Sequence, residues 1–292
     1  MNPDRKTVID RLCSQPEGFA PIVNQTSGRL PSVQRLGEIV KLIREVMFPD
    51  FFDDKAPGAQ ILRHITAVRL DTIYSELAAQ IRRACRLMRA SDIDEYEIAG
   101  RFIDALPSLR EILLTDVDAM FVNDPAACDR AEVIFCYPAF TGMLHYRIAH
   151  ALLEMGVPLL PRIITEMAHS KTGIDIHPGA VIGPYFSIDH GTGVVIGETC
   201  IIGHHVSIYQ GVTLGAKNFV LDDNGQPLNI PRHPILEDHV TVYSNATILG
   251  RVTIGSHAII GGNLWVTHDV PAYGRVLQRP PVNHRFSDGA GI

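Results

Sequence analysis

A six-residue period governs the second half of this chain. After Gly173, apolar and mostly β-branched residues recur at Ile176, Ile182 and Ile188, then at Ile196, Ile202, Ile208 and Leu214. A second series runs through Leu236, Val242, Ile248, Ile254, Ile260 and Val266. Glycine directly follows many of them, at Gly183, Gly197, Gly203, Gly215, Gly255 and Gly261. An α-helix would need apolar residues three and four apart, and an ordinary strand would need alternation between turn signals. A fixed period of six fits neither and marks a repeat architecture. Each hexapeptide makes one short strand and one tight turn, and three of them make a triangular coil. The recurring residue points inward and stacks on its equivalents above and below, because no single coil can bury it alone. The neighbouring glycine supports the bend at each corner.

The period fails twice. The gap from Ile188 to Ile196 is eight, which inserts two residues around Gly191-Thr192-Gly193. The gap from Leu214 to Leu236 is 22, which leaves 16 residues beyond one hexapeptide. These form an extruded loop, about 216–231, with Asp222-Asp223-Asn224-Gly225 as its turn. Long loops on regular scaffolds are more often functional than accidental.

The first half is helical in pattern. From Val33 to Arg89 apolar residues keep helical spacing, as at Leu62, Ile65, Val68, Leu70, Ile73, Leu77 and Ile81. Pro107 is expected to break the pattern, with Ser108 capping a helix from Leu109 to Met120. Further helices are expected from Pro138 to Glu154, stopped by Gly156, and from Pro158 to Ser170, before Gly173. The chain thus divides into an α-helical domain over 1–172, with 1–30 poorly defined, a coil domain over 173–270, and a tail over 271–292. Its net charge of −6 offers no basic field for nucleic acid or an anionic membrane. The five cysteines show no CxxC pair, and no apolar run has membrane-spanning length, so a reducing cytoplasm is the expected setting.

Two long motifs flank the first break. One is Asp175-Ile176-His177-Pro178, and the other runs from Asp189-His190-Gly191-Thr192-Gly193 through Val194-Val195-Ile196-Gly197-Glu198-Thr199. With Gly211-Val212-Thr213-Leu214-Gly215, Arg232-His233-Pro234, Asp124-Pro125-Ala126 and His145-Tyr146-Arg147-Ile148, they resemble the serine O-acetyltransferases, hexapeptide-repeat acyltransferases, over about residues 120–270. The resemblance implies a left-handed parallel β-helix behind the helical domain. It also implies acetyl-CoA as co-substrate and L-serine as acceptor, in the first step of cysteine biosynthesis.

A serine hydroxyl is a poor nucleophile at neutral pH, so a base must take its proton as it attacks the thioester. The resemblance makes His190 that base, with Asp175 orienting it and His233 also in the catalytic set; spacing alone favours a hydrogen-bonded corner residue, which the full motif reverses. Asp124 and Asp189 are implied on the ammonium side of serine, and Arg232 and His233 on the carboxylate side, where a planar guanidinium offers paired donors. Asp124 has the alternative reading of a turn residue before Pro125. Backbone N–H groups near Gly215 and Ala216 are candidates for the acetyl oxyanion, because the strand ladder ends there. Ser244 matches a small residue at the family's pantetheine contact, or is a plain turn residue.

Coil histidines also occur in carbonic-anhydrase-like hexapeptide proteins that bind zinc. Only His145 and His150 here have that branch's His-x4-His spacing, and they lie in the helical part, so no metal is expected. An acetyltransferase using homoserine or a sugar, and a catalytically inactive scaffold, are the alternative functions. The tail ends in Ile292, which resembles the family terminus that inserts into O-acetylserine sulfhydrylase, or is an unstructured end. The family further implies a homotrimer or a dimer of trimers, and feedback inhibition by L-cysteine.

Overall fold

The computed structural model describes residues 5–14, 30–52, 58–90, 93–218, 221–222, 224–226, 228 and 230–279. Ile292 and most of the tail therefore lie outside the described residues.

Eight helices are described: α1 (Arg5–Cys13), α2 (Val33–Met47), α3 (Pro49–Phe52), α4 (Ala59–Met88), α5 (Glu95–Asn123), α6 (Arg130–Cys136), α7 (Pro138–Glu154) and α8 (Leu160–Thr172). Side chains cap several of them. Ser32 accepts the Arg35 N–H at α2, and Asp94 accepts from Tyr96 and Glu97 at α5. The structure corrects the expected break at Pro107, because α5 runs straight through it. Proline forfeits one hydrogen bond there, but Ile98, Phe102 and Leu106 before it and Leu113, Val117 and Met120 after it enter the same core. Tertiary burial overrides local propensity. The helical stripe on α4 is covered only in its second half: Ile73, Leu77 and Ile81 are buried, whereas Val68 is exposed.

Gly173 ends α8 in the left-handed conformation, and the coils begin at Asp175. Three parallel ladders form the faces of the prism. The first face stacks Asp175–Ile176, Val195–Ile196, Thr213–Gly215, Thr247–Leu249 and Trp265–Val266. The second stacks Val181–Ile182, Ile201–Ile202, Ile235–Leu236 and Thr253–Ile254. The third stacks Ser187–Asp189, Ser207–Tyr209, Thr241–Val242, Ile259–Ile260 and Arg275–Val276. Every residue of the hexapeptide series is buried. A second inward register lies two residues earlier, at Ala180, Val194, Cys200, Val206, Val212, Val240, Ala246 and Ala258. The extruded loop leaves the ladder intact, since Ile201 still pairs with Ile235 across it. Within the loop the Asp222 carboxylate accepts the N–H groups of Asn224 and Gln226, which forms the expected turn.

A buried ion pair ties helices to coils. Arg147 on α7 meets Asp116 on α5 through Nε and Nη2, both at 3.1 Å. The same guanidinium donates to the carbonyls of Ile182 and Gly183, and Asp116 accepts the Phe186 N–H. Burial lifts the Asp116 carboxyl to about 6 against the opposing pull of Arg147. Nearby, the Tyr146 hydroxyl donates to the Ala180 carbonyl at 2.6 Å. The His-Tyr-Arg-Ile motif is thus a clamp that fixes α5, and with it Asp124, against the β-helix.

Candidate active site

Two groups of polar residues occupy different corners of the prism. The first lies where the third face turns into the first. Asp189 closes the strand Ser187–Asp189, and His190 follows with φ +56°, in the left-handed region. The inserted Gly191 and Gly193 adopt positive φ too, and the His190 side chain is 75% exposed. Its Nε2 lies 3.7 Å from Asp189 Oδ1. Asp124, which ends α5, reaches the same corner and interacts electrostatically with His190.

Tyr137, the residue between α6 and α7, donates its hydroxyl to Asp124 Oδ2. That bond, helped by the Ala126 N–H and by His190, holds the Asp124 carboxyl below its ordinary range. The Tyr137 phenol is pushed up by the same bond, then by burial and by the Asp124 and Asp189 charges, so it stays a donor. Sequence reasoning missed Tyr137. Its only signal was the tyrosine before Pro138, which reads as a plain helix start.

Asp175 lies at this corner one coil below, paired with Val195. The structure does not join it to His190: its Oδ1 is 3.7 Å from Arg162, and no hydrogen bond or ion pair links it to the ring among the described residues.

The second group lies where the first face turns into the second. Thr199 organises it. Its N–H donates to His233 Nδ1 at 3.1 Å, and its hydroxyl oxygen accepts the N–H groups of Arg232 and His233. Because Nδ1 accepts, the neutral His233 ring carries its proton on Nε2. Burial first, then the Arg232 charge, depresses the His233 pKa to about 4. The ring packs so tightly on Gly197 that an added Cβ there would collide with His233 Cδ2. Arg232 donates to Glu198 at 2.6 Å, and Arg251 holds the Thr199 and His233 carbonyls.

These shifts give an expected outcome. His233 should remain neutral, with hydrogen on Nε2, from about pH 5.5 to 8 in nitrogen-detected imidazole spectra; a transition near 6.5 would show that its burial is incomplete. The unfolded chain takes up this proton at higher pH than the folded one does. His233 therefore lowers folding stability as pH falls through the window from 6.5 to about 4.

Gly215 ends its strand one coil above Gly197, beside the second group, and accepts the Gly250 N–H at 3.0 Å. Ala216 begins the extruded loop, under which Lys217, Ile230, Arg232, Leu249 and Arg251 line a cavity of about 280 Å³. Ser244 lies at the corner of the first group, two coils above His190. The structure thus brings Arg232, His233, Gly215 and Ala216 to one corner, and Asp124, Asp189, His190, Asp175 and Ser244 to another.

The coil histidines do not converge. His205, His239 and His257 stack face to face between Tyr185 and Tyr273 along the remaining corner, with ring centroids 4.4 to 4.8 Å apart. His145 and His150 each bind a backbone carbonyl, of Thr141 and Pro178. Among the described residues, Glu166, His169 and Asp175 are a group close enough to share an ion, and Arg162 contacts both carboxylates.

No family model matches the chain. A serine acetyltransferase of Synechococcus elongatus is 44% identical over 275 residues, which covers 90% of this chain and 86% of that one. The chain belongs to the serine acetyltransferases. Among solved structures, serine acetyltransferase 1 of Entamoeba histolytica, in complex with L-cysteine, superposes with a TM-score of 0.73 at 33% identity. The match covers 93% of this chain and 95% of that one. A serine acetyltransferase of Brucella abortus in complex with coenzyme A gives 0.57 at 25% identity, covering 83% and 93%. This serine acetyltransferase shares with them a helical region followed by a parallel β-helix.

Proposed function

We propose that this chain moves the acetyl group of acetyl-CoA to the hydroxyl of L-serine, in a cleft formed between the first corner of one subunit and the second corner of its neighbour. One observation carries the reading. Carboxylates and an exposed imidazole lie at one end of the first face, and a guanidinium with an imidazole N–H lies at the other. Within one chain these two groups lie at opposite ends of a face, and a threefold ring brings unlike corners together.

In this cleft Asp124 and Asp189 hold the serine ammonium, and Arg232 with the His233 Nε2–H holds its carboxylate. The hydroxyl then lies near His190 Nε2, on the side that Asp189 shares. His190 takes the hydroxyl proton while the serine oxygen bonds to the thioester carbon. Backbone N–H groups near Gly215 and Ala216 receive the oxyanion. On its collapse the carbon–sulfur bond breaks, and the CoA thiolate recovers the proton from His190. Asp175, at the His190 corner, supplies the orienting carboxylate in this reading. The cavity beneath the loop and Ser244 fall on either wall of the CoA path. L-cysteine, so similar to serine, occupies the same amino-acid site as an inhibitor, and Ile292 is the contact for O-acetylserine sulfhydrylase. Trimers, alone or paired through the helical region, are the assembly implied, in the cytoplasm; no described helix is long and apolar enough to cross a membrane.

Thiol release from acetyl-CoA tests the reading, measured with serine, homoserine, an amino sugar or no acceptor. Release with serine alone is expected. Release with another acceptor instead reassigns the substrate, and no release with any acceptor makes the chain a scaffold.

A further inference from the structure

Away from both corners, α2, α7 and α8 enclose a cavity of about 290 Å³ lined by Lys41, Arg44, Thr141, His145, Met167 and Lys171. No carboxylate among the described residues lines it. Lys41 lies 3.7 Å from Glu45, but Glu45 is itself 3.2 Å from Arg69. Arg44 stacks on Phe52 at 4.1 Å, and its Nε is buried without a hydrogen-bond partner among the described residues. Lys171 makes no ion pair among the described residues. His145, from α7, gives its Nδ1 proton to the Thr141 carbonyl at 2.8 Å, and its Nε2 makes no hydrogen bond among the described residues. Its pKa is lowered by burial, then by the Lys171 and Arg44 charges.

Like charges around a half-buried imidazole repel one another, and a buried guanidinium nitrogen without an acceptor costs free energy. A small anion among the lining cations relieves the repulsion. The cavity sits at the lower end of ligand-site volumes, which run from roughly 300 Å³ upward. That suits an ion of few atoms better than a nucleotide. We infer that this cavity is a binding site for a small tetrahedral dianion of the phosphate class, held by Arg44, Lys171 and Lys41 with His145 at its wall. The site is independent of the acetyl-transfer reading, because it shares no residue with either corner.

Calorimetric titration of the full chain with inorganic phosphate tests it. The protein is saturated with coenzyme A so that phosphate cannot occupy the co-substrate site, and ionic strength is held constant with sodium chloride. Saturable binding at one site per chain is expected. Lys171→Gln combined with Arg44→Gln should weaken it at least about tenfold. Lys171→Gln alone, at an exposed position, should weaken it measurably even if the double variant fails to fold. Arg275→Gln, on a remote coil, should leave it unchanged. Absence of saturable binding, or equal binding by the parent and Lys171→Gln, would overturn the assignment.

Discussion

Replacing His190 with alanine should lower kcat at least about 10²-fold while leaving the fold and the affinity for coenzyme A intact. The expectation follows from the geometry of the corner. The side chain is 75% exposed, so its loss removes no packing. In the proposed cleft the serine hydroxyl would have no other base within reach, because Asp124 and Asp189 would hold the ammonium and the neutral His233 carries its proton on Nε2. His190→Asn is the better control for the backbone, because asparagine adopts the left-handed conformation found there more readily than alanine. Both variants should lose turnover alike. Retention of more than about a tenth of the parent kcat by either would move the base elsewhere.

The second large effect is on stability. Arg147→Met should destabilise the chain by about 3–5 kcal/mol, because it leaves the Asp116 carboxyl buried without its counter-charge. Thermal unfolding should fall by on the order of 10 °C. The same substitution removes the donors to the Ile182 and Gly183 carbonyls, which cuts the link that runs from α5 through α7 to the β-helix, while the Phe186 N–H still reaches Asp116. Asp124, at the end of α5, should then bind serine less well, and KM for serine should rise even in samples cooled well below the transition. Replacing Asp116 with asparagine as well should recover part of the stability. A fall of less than about 1 kcal/mol for Arg147→Met would show that the clamp is not what joins helices to coils.

The coils were legible because their period is a packing constraint: each inward isoleucine or valine must meet its equivalent one coil away. The second inward register carries no such uniform signal, because it mixes Ala180, Val194, Cys200 and Ala246, residues of unlike size. Pro107 misled because local propensity says nothing about the core on both sides of it. For the candidate site, the motifs point to His190, Asp189, Arg232 and His233, but a linear string does not reveal which corner each one occupies. Thr199, which fixes the His233 tautomer, and Tyr137, which holds Asp124, act through hydrogen bonds made only after folding. The contact expected between Asp175 and His190 rested on the family resemblance, yet in the chain by itself Asp175 pairs with Arg162 at 3.7 Å.

Mixing two inactive chains measures the central claim directly. His190→Ala subunits lack the base corner, and Arg232→Ala subunits lack the carboxylate-binding corner. Co-refolded in equal amounts, they should regain about one quarter of the parent activity, the fraction of clefts in a random threefold ring that pair two intact corners. A mixture no more active than its two components would mean that each site is complete within one subunit, and the two-corner cleft would have to be abandoned.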